Sequence, residues 1–415
     1  MKYIIILGDG MADYPVPELN GLTPLMAART PSMDRIAKEG VTGLFRTIEA
    51  DMSTGSAVAN LSVLGYDPRK TFQGRGVLEA ASLGVHLSDT DMAMRVNLVC
   101  IENDKIRSHS AGHIRDNEAG QLINDLKLFF KDWNIQLTQG LSYRHLLVIP
   151  GGNPDIECAP PHDNVGKQLS EILVKPLTGE AKETAELLNN MIYESHKFLS
   201  DHPVNKKRIA GSQQPANALW PWSPGRKPEM DTIEERFQMK GAVISAVDLI
   251  KGLAIYAGMD VIPVEGATGL YDTNYEGKAD ACIKALEDHD FIYVHVEAAD
   301  EAGHDRDLQL KIKCIEDLDQ RLIQNVLNQL DNKTEDYVIA VLPDHPTPLI
   351  HGAHVRDPVP VAIRNPLITP DAVERYDEES VKSGKLGLLK GSEFIEIVLE
   401  KRMVGHRAHR EKSNK

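Results

Sequence analysis

Residues 3–10 read YIIILGDG, a continuous apolar run that ends in a glycine-flanked aspartate, Asp9. A run of aliphatic and β-branched residues without polar alternation is typical of a parallel strand buried on both faces of a sheet. In open parallel sheets, ligands bind beyond the carboxyl ends of the strands. The position of Asp9 therefore predicts a ligand-binding edge directly after the first strand.

Three later segments resemble this first one. FIYVHV (291–296) and YVIAVL (337–342) each finish at a turn that contains acidic residues or histidine, and VPVAI (359–363) begins shortly after His354. Residues 308–330 carry apolar side chains at three- and four-residue spacing, which predicts a helix. Alternating strands and helices predict an α/β fold with a mainly parallel sheet flanked by helices.

The sequence changes character between residues 73 and 235. RVNLVCIENDKIRSHSAGHI (95–114) is typical of a β-hairpin in an α+β module, whereas SQQPANALWPWSPGRKP (212–228) lacks periodicity, which predicts an irregular connection. We expect a metal-binding domain from residues 1–72 and 236–403, an inserted α+β cap domain from residues 73–235, and a basic tail over residues 404–415.

Composition and charge exclude several classes of protein. The 415-residue chain has 42% hydrophobic and 26% charged residues, as globular proteins do, and a formal net charge of −15 at pH 7. This charge disfavours nucleic acid as a partner, because phosphate backbones bind clustered lysine and arginine. The four cysteines form no CxxC pair, and no apolar run has the length of a signal peptide or a membrane helix. We expect a cytoplasmic protein without a membrane partner.

Side chains that commonly bind metal ions follow the predicted strands. They are Asp9, Asp300 and His304 in VEAADEAGH, Asp344 and His345 in VLPDHPTP, and His354 in HGAHVRDPVP. Singly, each has an ordinary alternative, such as a helix cap for Asp9 or a surface position for His354. Together, three aspartates and three histidines at predicted strand ends form a mixed oxygen and nitrogen set suited to Mn²⁺, Zn²⁺ or Mg²⁺.

Ser56, in TGSAVAN, has a glycine before it and a predicted helix after it. It could be a helix N-cap, and Thr54 competes for either role. It could equally be a nucleophile, because a helix N-terminus attracts an oxyanion and a metal ion lowers the pKa of a bound hydroxyl. The residues alone leave both interpretations open.

These motifs resemble those of the cofactor-independent phosphoglycerate mutases, in the shorter archaeal-type branch within the alkaline phosphatase superfamily. The resemblance covers nearly the whole chain and is most specific in GDGMAD, TGSAVANLSVLGYDP, VEGATGLYDTNYEGKA, VHVEAADEAGH and PDHPTP. It implies an alkaline-phosphatase-like fold with two divalent metal ions, Mn²⁺ first and Mg²⁺, Zn²⁺ or Co²⁺ as alternatives. One ion is implied at Asp300, His304 and His354, and the other at Asp9, Asp344, His345 and the Ser56 hydroxyl.

The resemblance also implies a reaction. Ser56 would take the phosphoryl group from one hydroxyl of a phosphoglycerate and return it to the neighbouring hydroxyl, which interconverts 3-phosphoglycerate and 2-phosphoglycerate without bisphosphoglycerate. A cap domain that closes would keep water from the phosphoserine. Candidates for binding this small phosphorylated metabolite are cationic or hydrogen-bonding residues: His109, His113, Arg144, His145, His162, Asp163, Lys167, Arg226 and Lys278.

Two features depart from the mutase pattern. Ala57 follows the serine where mutases of this branch often have an acidic residue, and the histidine-rich SHSAGHI (108–114) stands in place of an arginine-rich stretch. The cap resembles that of a bacterial subgroup proposed to phosphorylate homoserine, so a homoserine kinase is the alternative function. The chain has no GxxxxGK[ST] loop, which weighs against ordinary use of ATP. A metal-dependent phosphatase is less favoured, because it would need an open cap and the chain has a large insertion. An inactive metal-binding scaffold is less favoured, because every proposed ligand is present.

Overall fold

In a computed structural model of the chain, the described residues are 1–333 and 335–399, so the predicted basic tail lies outside them. The described chain divides into two compact units, which we call unit 1 (residues 1–72 and those from 229 onward) and unit 2 (residues 73–228). Unit 1 resumes before the predicted residue 236. Within the returning segment, Arg236 donates hydrogen bonds to the carbonyl oxygens of Leu64 and Gly65, which joins this segment to the first segment of unit 1.

The chain begins in unit 1, continues through unit 2 and then returns to unit 1. The first segment of unit 1 contains β1 (Lys2–Gly8), α1 (Pro24–Ala27), α2 (Pro31–Lys38), β2 (Val41–Arg46), α3 (Ser56–Val63) and α4 (Pro68–Thr71). Unit 2 contains α5 (Arg75–Ser82), β3 (Met92–Glu102), β4 (Lys105–Ser108), α6 (Asp116–Phe129), β5 (Gln136–Thr138), β6 (Arg144–Ile149), β7 (Ile156–Glu157), α7 (Leu169–Ile172), β8 (Lys175–Pro176), α8 (Lys182–Ser200), α9 (Pro203–Ala210) and β9 (Ala218–Arg226).

The returning segment of unit 1 supplies most of its strands and helices. They are α10 (Ile233–Phe237), β10 (Gly241–Ile244), α11 (Asp248–Tyr256), β11 (Asp260–Val261), α12 (Tyr275–Ala285), β12 (Phe291–Val296), α13 (Ala298–His304), α14 (Leu308–Asp317), a π-helical stretch (Leu318–Ile323), α15 (Gln324–Leu330), β13 (Tyr337–Leu342), β14 (Val359–Arg364), β15 (Gly387–Lys390) and α16 (Glu393–Leu399). No helix in the described residues of either unit is long and apolar enough to cross a membrane.

The sheet of unit 1 is mainly parallel. Within the described residues it has eight strands in the order β11-β10-β12-β1-β13-β14-β2-β15, and β14 alone runs against its neighbours. Strand β1 pairs in parallel with β12 and β13, with Leu7 opposite both His295 and Leu342. The carboxyl ends of these three strands therefore lie side by side. The predicted α/β fold with a mainly parallel sheet is confirmed.

The three central strands are buried along their length, as their uninterrupted apolar sequences predict. Ile4 and Ile6 of β1 belong to a core with residues of α2, α12 and α15. The helix predicted over residues 308–330 forms as α14, the π-helical stretch and α15. At the other end of the sheet, Phe394 of α16 stacks on Phe45 of β2 with 5.3 Å between ring centroids.

Unit 2 is an α+β unit built on an antiparallel sheet. Strand β3 pairs with β4, β6 and β9, and β6 pairs in turn with β5. The hairpin predicted within residues 95–114 forms from β3 and β4. Leu122 of α6 and Leu188 of α8 pack with Met94 of β3, so unit 2 has a hydrophobic core of its own.

The irregular connection predicted over residues 212–228 is wrong, because Ala218–Arg226 forms strand β9. Pro221 and Pro224 argued against a strand, since proline donates no backbone hydrogen bond. Among the described strands β9 pairs with β3 alone, so it is an edge strand, where proline is tolerated. Trp220 and Trp222 are buried, and their indole N–H groups donate hydrogen bonds of 2.8 and 3.0 Å. Burial of these two side chains thus stabilises a strand that lacks a periodic pattern.

Candidate active site

Three of the loops that carry predicted ligands begin where β1, β12 and β13 end. Asp9 follows β1 directly, Asp300 lies in the first turn of α13, and Asp344 follows β13 after one residue. Gly10 allows the first two loops to approach, because its φ is +61° and a Cβ there would collide with Asp300. The register of the parallel strands thus brings together carboxylates from opposite ends of the chain.

Asp300, His304 and His354 form one group of possible metal ligands, which we call site A. His304 Nε2 lies 3.1 Å from Asp300 Oδ2, and His354 Nε2 lies 3.4 Å from Asp300 Oδ1. The two Nε2 atoms face each other at 2.9 Å. Asp300 and His304 share one face of α13, as their four-residue spacing predicts.

Asp9, Asp344 and His345 form a second group, which we call site B, and all three side chains are buried. His345 Nε2 lies 3.6 Å from Asp9 Oδ1 and 3.5 Å from Asp344 Oδ2. The Ser56 Oγ atom lies 3.3 Å from the same nitrogen. The ring of His345 stacks on the ring of His354, with 3.9 Å between centroids, so sites A and B are neighbours.

The donor atoms of both sites fit divalent cations. Asp9 Oδ1 is buried and has no hydrogen-bond partner among the described residues, which is costly for a carboxylate oxygen unless a cation or a proton compensates it. His304 Nδ1 lies 3.0 Å from the Gly352 carbonyl oxygen. That hydrogen bond requires the proton on Nδ1 and leaves the Nε2 lone pair for a metal ion. Aspartate oxygens with imidazole nitrogens suit Mn²⁺ and Zn²⁺.

Crowded charges shift the pKa values of both sites. Burial, followed by the carboxylates of Asp344 and Asp300, raises the pKa of Asp9 well above its ordinary value. Burial lowers the pKa of His345, which favours its neutral, metal-binding form. Burial acts upward on Asp300 as well, but the hydrogen bonds from His304 and His354 outweigh it and hold that pKa well below its ordinary value. Added positive charge therefore stabilises the carboxylates of both sites, as a bound cation would.

Ser56 is the first residue of α3 and not its N-cap. Gly55 occupies the cap position with a φ of +145°, and no side chain caps the helix there. Thr54 is exposed and lies outside the helix. The Ser56 hydroxyl is thus left to face His345, at a helix N-terminus whose partial positive charge favours an oxyanion.

Sequence reasoning missed four buried polar residues beside the two sites: Asn60, Tyr293, His295 and Thr347. His295 Nε2 lies 3.0 Å from Asp9 Oδ2, and the Thr347 hydroxyl donates to the Asp300 carboxylate. The sequence does indicate Tyr293 and His295, because these two residues with polar atoms are two positions apart in an apolar strand and therefore lie on the same face of it. Nothing in the local pattern marks Asn60 or Thr347.

Asp9, His295 and Glu297 form a third group whose possible ligand atoms lie within 4.8 Å of one another. Burial lowers the pKa of His295 to about 3, so its imidazole is neutral. Its Nε2 atom is within hydrogen-bond distance of Asp9 Oδ2, and Nδ1 lies 3.4 Å from the Ser245 hydroxyl. This geometry suits a residue that orients Asp9 toward site B.

Asn60 connects the helix of the serine to site B. Its Nδ2 atom donates to the Ser56 carbonyl oxygen at 2.8 Å and to Asp344 Oδ2 at 2.9 Å. Its Oδ1 atom accepts a hydrogen bond from the Tyr293 hydroxyl. Because these partners fix which end of the amide is the nitrogen, Asn60 presents an N–H group to Asp344 and orients its carboxylate.

Asn60→Leu keeps the side-chain volume but removes both donors. We expect it to lower Mn²⁺ affinity and kcat/KM by about 10- to 100-fold, the usual effect of losing a hydrogen-bond partner of a metal ligand. Metal titration and steady-state kinetics measure this. Ser62→Ala is the matched control, because Ser62 lies on the same helix and donates to the Val58 carbonyl oxygen instead. Wild-type Mn²⁺ affinity in Asn60→Leu would contradict the assigned role.

Unit 2 brings three of the predicted substrate-binding residues together. His109 and His113 contact the ring of Tyr143, with centroid distances of 5.7 and 6.3 Å. His162 lies 6.3 Å from His109 and 5.1 Å from Trp222. We call these five residues the histidine–aromatic cluster. Burial, followed by the other two histidines, lowers the pKa of His109.

Two arginines flank the histidine–aromatic cluster. Arg144, a predicted substrate-binding residue, is exposed and places its Cζ atom 5.6 Å from the centroid of the Tyr143 ring. Arg95, which sequence reasoning missed, lies 4.7 Å over the ring of Trp222, and its Nε atom is 3.0 Å from Glu79 Oε1. Aromatic faces attract guanidinium groups, so the cluster has positive charge along its edge.

The remaining candidates have other partners. His145 is buried, accepts a hydrogen bond from the Gly140 backbone N–H at 3.2 Å, and has a pKa lowered by burial to about 4. As the neighbour of Arg144 in β6, it points to the opposite face of the sheet. Arg226 donates a hydrogen bond to the Gly152 carbonyl oxygen at 3.1 Å, and Lys167 donates one to Asn164 Oδ1 at 2.9 Å. Lys278, which lies in unit 1, donates one to the His295 carbonyl oxygen at 2.9 Å. Asp163 Oδ2 lies 3.8 Å from His162 Nε2.

The sequence and fold resemble those of known proteins along nearly the whole chain. Residues 37–205 match the family of 2,3-bisphosphoglycerate-independent phosphoglycerate mutases. The 2,3-bisphosphoglycerate-independent phosphoglycerate mutase of Methanosarcina acetivorans is 48% identical over 404 residues, which cover 96% of this chain and 100% of that protein. A solved structure of a protein from Pyrococcus horikoshii is 31% identical with a TM-score of 0.81, over 96% of this chain and 97% of that one. A cofactor-independent phosphoglycerate mutase from Thermoplasma acidophilum is 30% identical with a TM-score of 0.70, over 96% and 99% of the two chains. The chain therefore belongs to the family of 2,3-bisphosphoglycerate-independent phosphoglycerate mutases.

Proposed function

We propose that this chain interconverts 3-phosphoglycerate and 2-phosphoglycerate through a phosphoserine formed on Ser56. The observation that carries the proposal is the position of the Ser56 hydroxyl, 3.3 Å from His345 Nε2 at the start of a helix and beside two neighbouring groups of possible metal ligands. Relatives aligned over nearly their full length are named for a phosphoglycerate mutase. The substrate is accordingly a small phosphorylated metabolite.

Divalent cations belong to this proposal. Asp300, His304 and His354 would hold one ion, and the residues of site B with the Ser56 hydroxyl would hold another. When bound, such ions neutralise charge on the transferring phosphoryl group and lower the pKa of a coordinated hydroxyl. Mn²⁺ is our first choice for both sites, with Mg²⁺, Zn²⁺ and Co²⁺ as alternatives, because the ligands mix carboxylate oxygen with imidazole nitrogen.

Ser56 carries the phosphoryl group between the two hydroxyls. The Ser56 hydroxyl loses its proton as Oγ forms a bond to phosphorus, and the ester bond to one glycerate oxygen breaks while that oxygen takes up a proton. The neighbouring hydroxyl of the same glycerate then loses its proton and attacks the phosphoserine, the bond from phosphorus to Oγ breaks, and Oγ takes up a proton. The group returned is the group removed, so the balance needs no bisphosphoglycerate and no water.

The histidine–aromatic cluster and Arg144 are our candidates for binding the substrate carboxylate. Three imidazoles and an exposed guanidinium offer N–H donors, and a guanidinium binds a carboxylate through two parallel hydrogen bonds. The buried His145 is a weaker candidate, because it already accepts a backbone hydrogen bond and its pKa lies at about 4.

The alternative of a homoserine kinase is not favoured, because relatives aligned along nearly the whole chain are named mutases. The feature that suggested it, SHSAGHI (108–114), supplies two of the three histidines of the cluster, His109 and His113. A cytoplasmic location remains part of our proposal and fits the four cysteines, which are all free.

One side-by-side assay with Mn²⁺ tests the function. We expect rapid conversion of 3-phosphoglycerate to 2-phosphoglycerate without added bisphosphoglycerate, no ATP-dependent phosphorylation of homoserine, and little release of inorganic phosphate. Homoserine phosphate formed in the absence of mutase activity would overturn the proposal. Rapid release of phosphate from either phosphoglycerate would indicate a phosphatase instead.

A further inference from the structure

Lys311 of α14 carries a completely buried ammonium group, with an exposed fraction of 0%. Its Nζ atom lies 2.7 Å from Asp13 Oδ2, 2.8 Å from the Thr347 carbonyl oxygen and 3.3 Å from the Ala12 carbonyl oxygen. An ammonium group has three N–H donors, and each of the three has an acceptor at Lys311. A buried charge persists only when it is paired and hydrogen-bonded in this way.

The three acceptors belong to the two loops that carry site B. Ala12 and Asp13 lie on the loop that begins with Asp9, and Thr347 lies two residues after His345. The same loops also bond directly, since the Thr347 backbone N–H donates to the Ala12 carbonyl oxygen at 3.2 Å and the Gly10 backbone N–H donates to Asp344 Oδ1 at 3.3 Å. The Lys311 ammonium group therefore lies where the two loops meet.

Asp13 makes further contacts at this junction. Its carboxylate accepts hydrogen bonds from the backbone N–H groups of Tyr14, at 2.7 Å, and Leu349, at 3.2 Å. Its own backbone N–H donates to Glu378 Oε1 at 3.0 Å. The ion pair of Lys311 and Asp13 thus contacts the segment after His345 at two points, the Thr347 carbonyl oxygen and the Leu349 backbone N–H.

Site A is connected to the same junction. The Thr347 hydroxyl donates to the Asp300 carboxylate, while the Thr347 carbonyl oxygen accepts from Lys311. Lys311 itself lies on the helix that follows α13, which carries Asp300 and His304. Through Thr347, the Lys311 ammonium group is therefore two hydrogen bonds away from Asp300 of site A and from His345 of site B, whose Nδ1 atom lies 3.3 Å from the Thr347 hydroxyl.

We propose that Lys311 is a positioning residue for the metal centre, whose three hydrogen bonds hold the Asp9 loop and the Asp344–His345 loop at the separation that a divalent cation requires. The inference rests on the proposed metal-dependent function. A merely structural ion pair would contribute to the stability of unit 1 and leave the metal affinity of the folded protein unchanged. The two roles are therefore separated by measuring metal affinity and stability on the same variants.

The experiment uses Lys311→Met, which removes all three donors, and Lys311→Gln, which keeps a neutral amide with two. Lys313→Met is the matched control, because Lys313 lies on the same helix and pairs with Asp317 at the exposed surface. Mn²⁺ affinity is measured by competition with a chromophoric chelator, stability by thermal unfolding without metal, and kcat and KM separately for 3-phosphoglycerate.

We expect Lys311→Met to lower Mn²⁺ affinity by about 10- to 100-fold and to reduce kcat more than it raises KM, as loss of an outer partner of metal ligands does. Lys311→Gln should recover part of both values, and Lys313→Met should match the wild type. If Lys311→Met does not fold, the double variant Lys311→Gln with Asp13→Asn, a neutral hydrogen-bonded pair, decides the question by the same chelator measurement.

Wild-type Mn²⁺ affinity in a folded Lys311→Met or double variant, with stability alone reduced, would overturn the positioning role. A wild-type protein that binds Mn²⁺ without mutase activity would overturn the proposed function, while the Mn²⁺ affinities would still decide the role of Lys311. Absence of Mn²⁺ binding by the wild type would overturn both.

Discussion

Ser56→Ala is expected to lower turnover by about 10,000-fold or more, because no other group replaces a lost nucleophile, while the protein still folds and binds metal through the remaining ligands. Gly55 provides the cap position of α3, so the substitution does not remove a helix cap. Coupled assay of 2-phosphoglycerate formation measures the loss. Mass spectrometry of the Ser56 peptide, after incubation with 3-phosphoglycerate, should show added phosphate in the wild type alone.

Thr54→Ala is the matched control for the serine. It removes an exposed hydroxyl two residues away, outside the helix, and should leave kcat within about twofold of the wild-type value, as surface substitutions usually do. Near-normal turnover in Ser56→Ala would show that the nucleophile is misassigned. Thr54 would then become the first replacement candidate.

Asp300→Ala and Asp344→Ala are expected to remove different metal ions. Asp300 contributes both carboxylate oxygens to site A, whereas Asp344 belongs to site B. We expect the wild type to hold two equivalents of Mn²⁺ and each variant to retain about one, with kcat lower by at least about 100-fold, because each ion would neutralise part of the transferring phosphoryl group. Equilibrium dialysis followed by elemental analysis measures the equivalents.

The control for these variants is Asp305→Ala, which removes an exposed carboxylate just beyond α13 and should retain both ions. Two equivalents of Mn²⁺ in both Asp300→Ala and Asp344→Ala would defeat the assignment of ligands. Loss of both ions in either variant would keep the ligands but show that the two sites bind cooperatively, consistent with the stacked rings of His345 and His354.

The sequence was sufficient to predict the central strands and the residues at their ends. Strands β1, β12 and β13 are buried on both faces, so their pattern is a continuous apolar run that is visible without any knowledge of neighbours. Because the three strands are parallel and in register, the residues that follow them lie together at the carboxyl edge of the sheet. The grouping of ligands into sites A and B came from the family resemblance, and the structure brings the same groups together.

Interactions between distant segments were not predictable in the same way. Strand β9 has no periodic pattern and depends on pairing with β3 and on burial of Trp220 and Trp222. In the sequence, Asn60 and Lys311 look like ordinary helix residues. Asn60 bonds to Asp344 and Lys311 bonds to Asp13, and in each case the two partners are more than 200 residues apart in the chain. A local pattern carries no information about such partners until the topology is known.

The pairing of β1 also determines how the chain can fold during synthesis. Tyr3 of β1 pairs with Phe291 of β12 and Val338 of β13, so the central strand of the sheet has no neighbours until the ribosome has added nearly 300 further residues. At about 5–20 residues per second this takes roughly 15–60 s. Unit 2 is one continuous segment and can complete its core in that interval. During synthesis, β1 and β2 both wait for partner strands that lie beyond residue 290, and chains that stop after unit 2 should aggregate through the unpaired edges of these two strands.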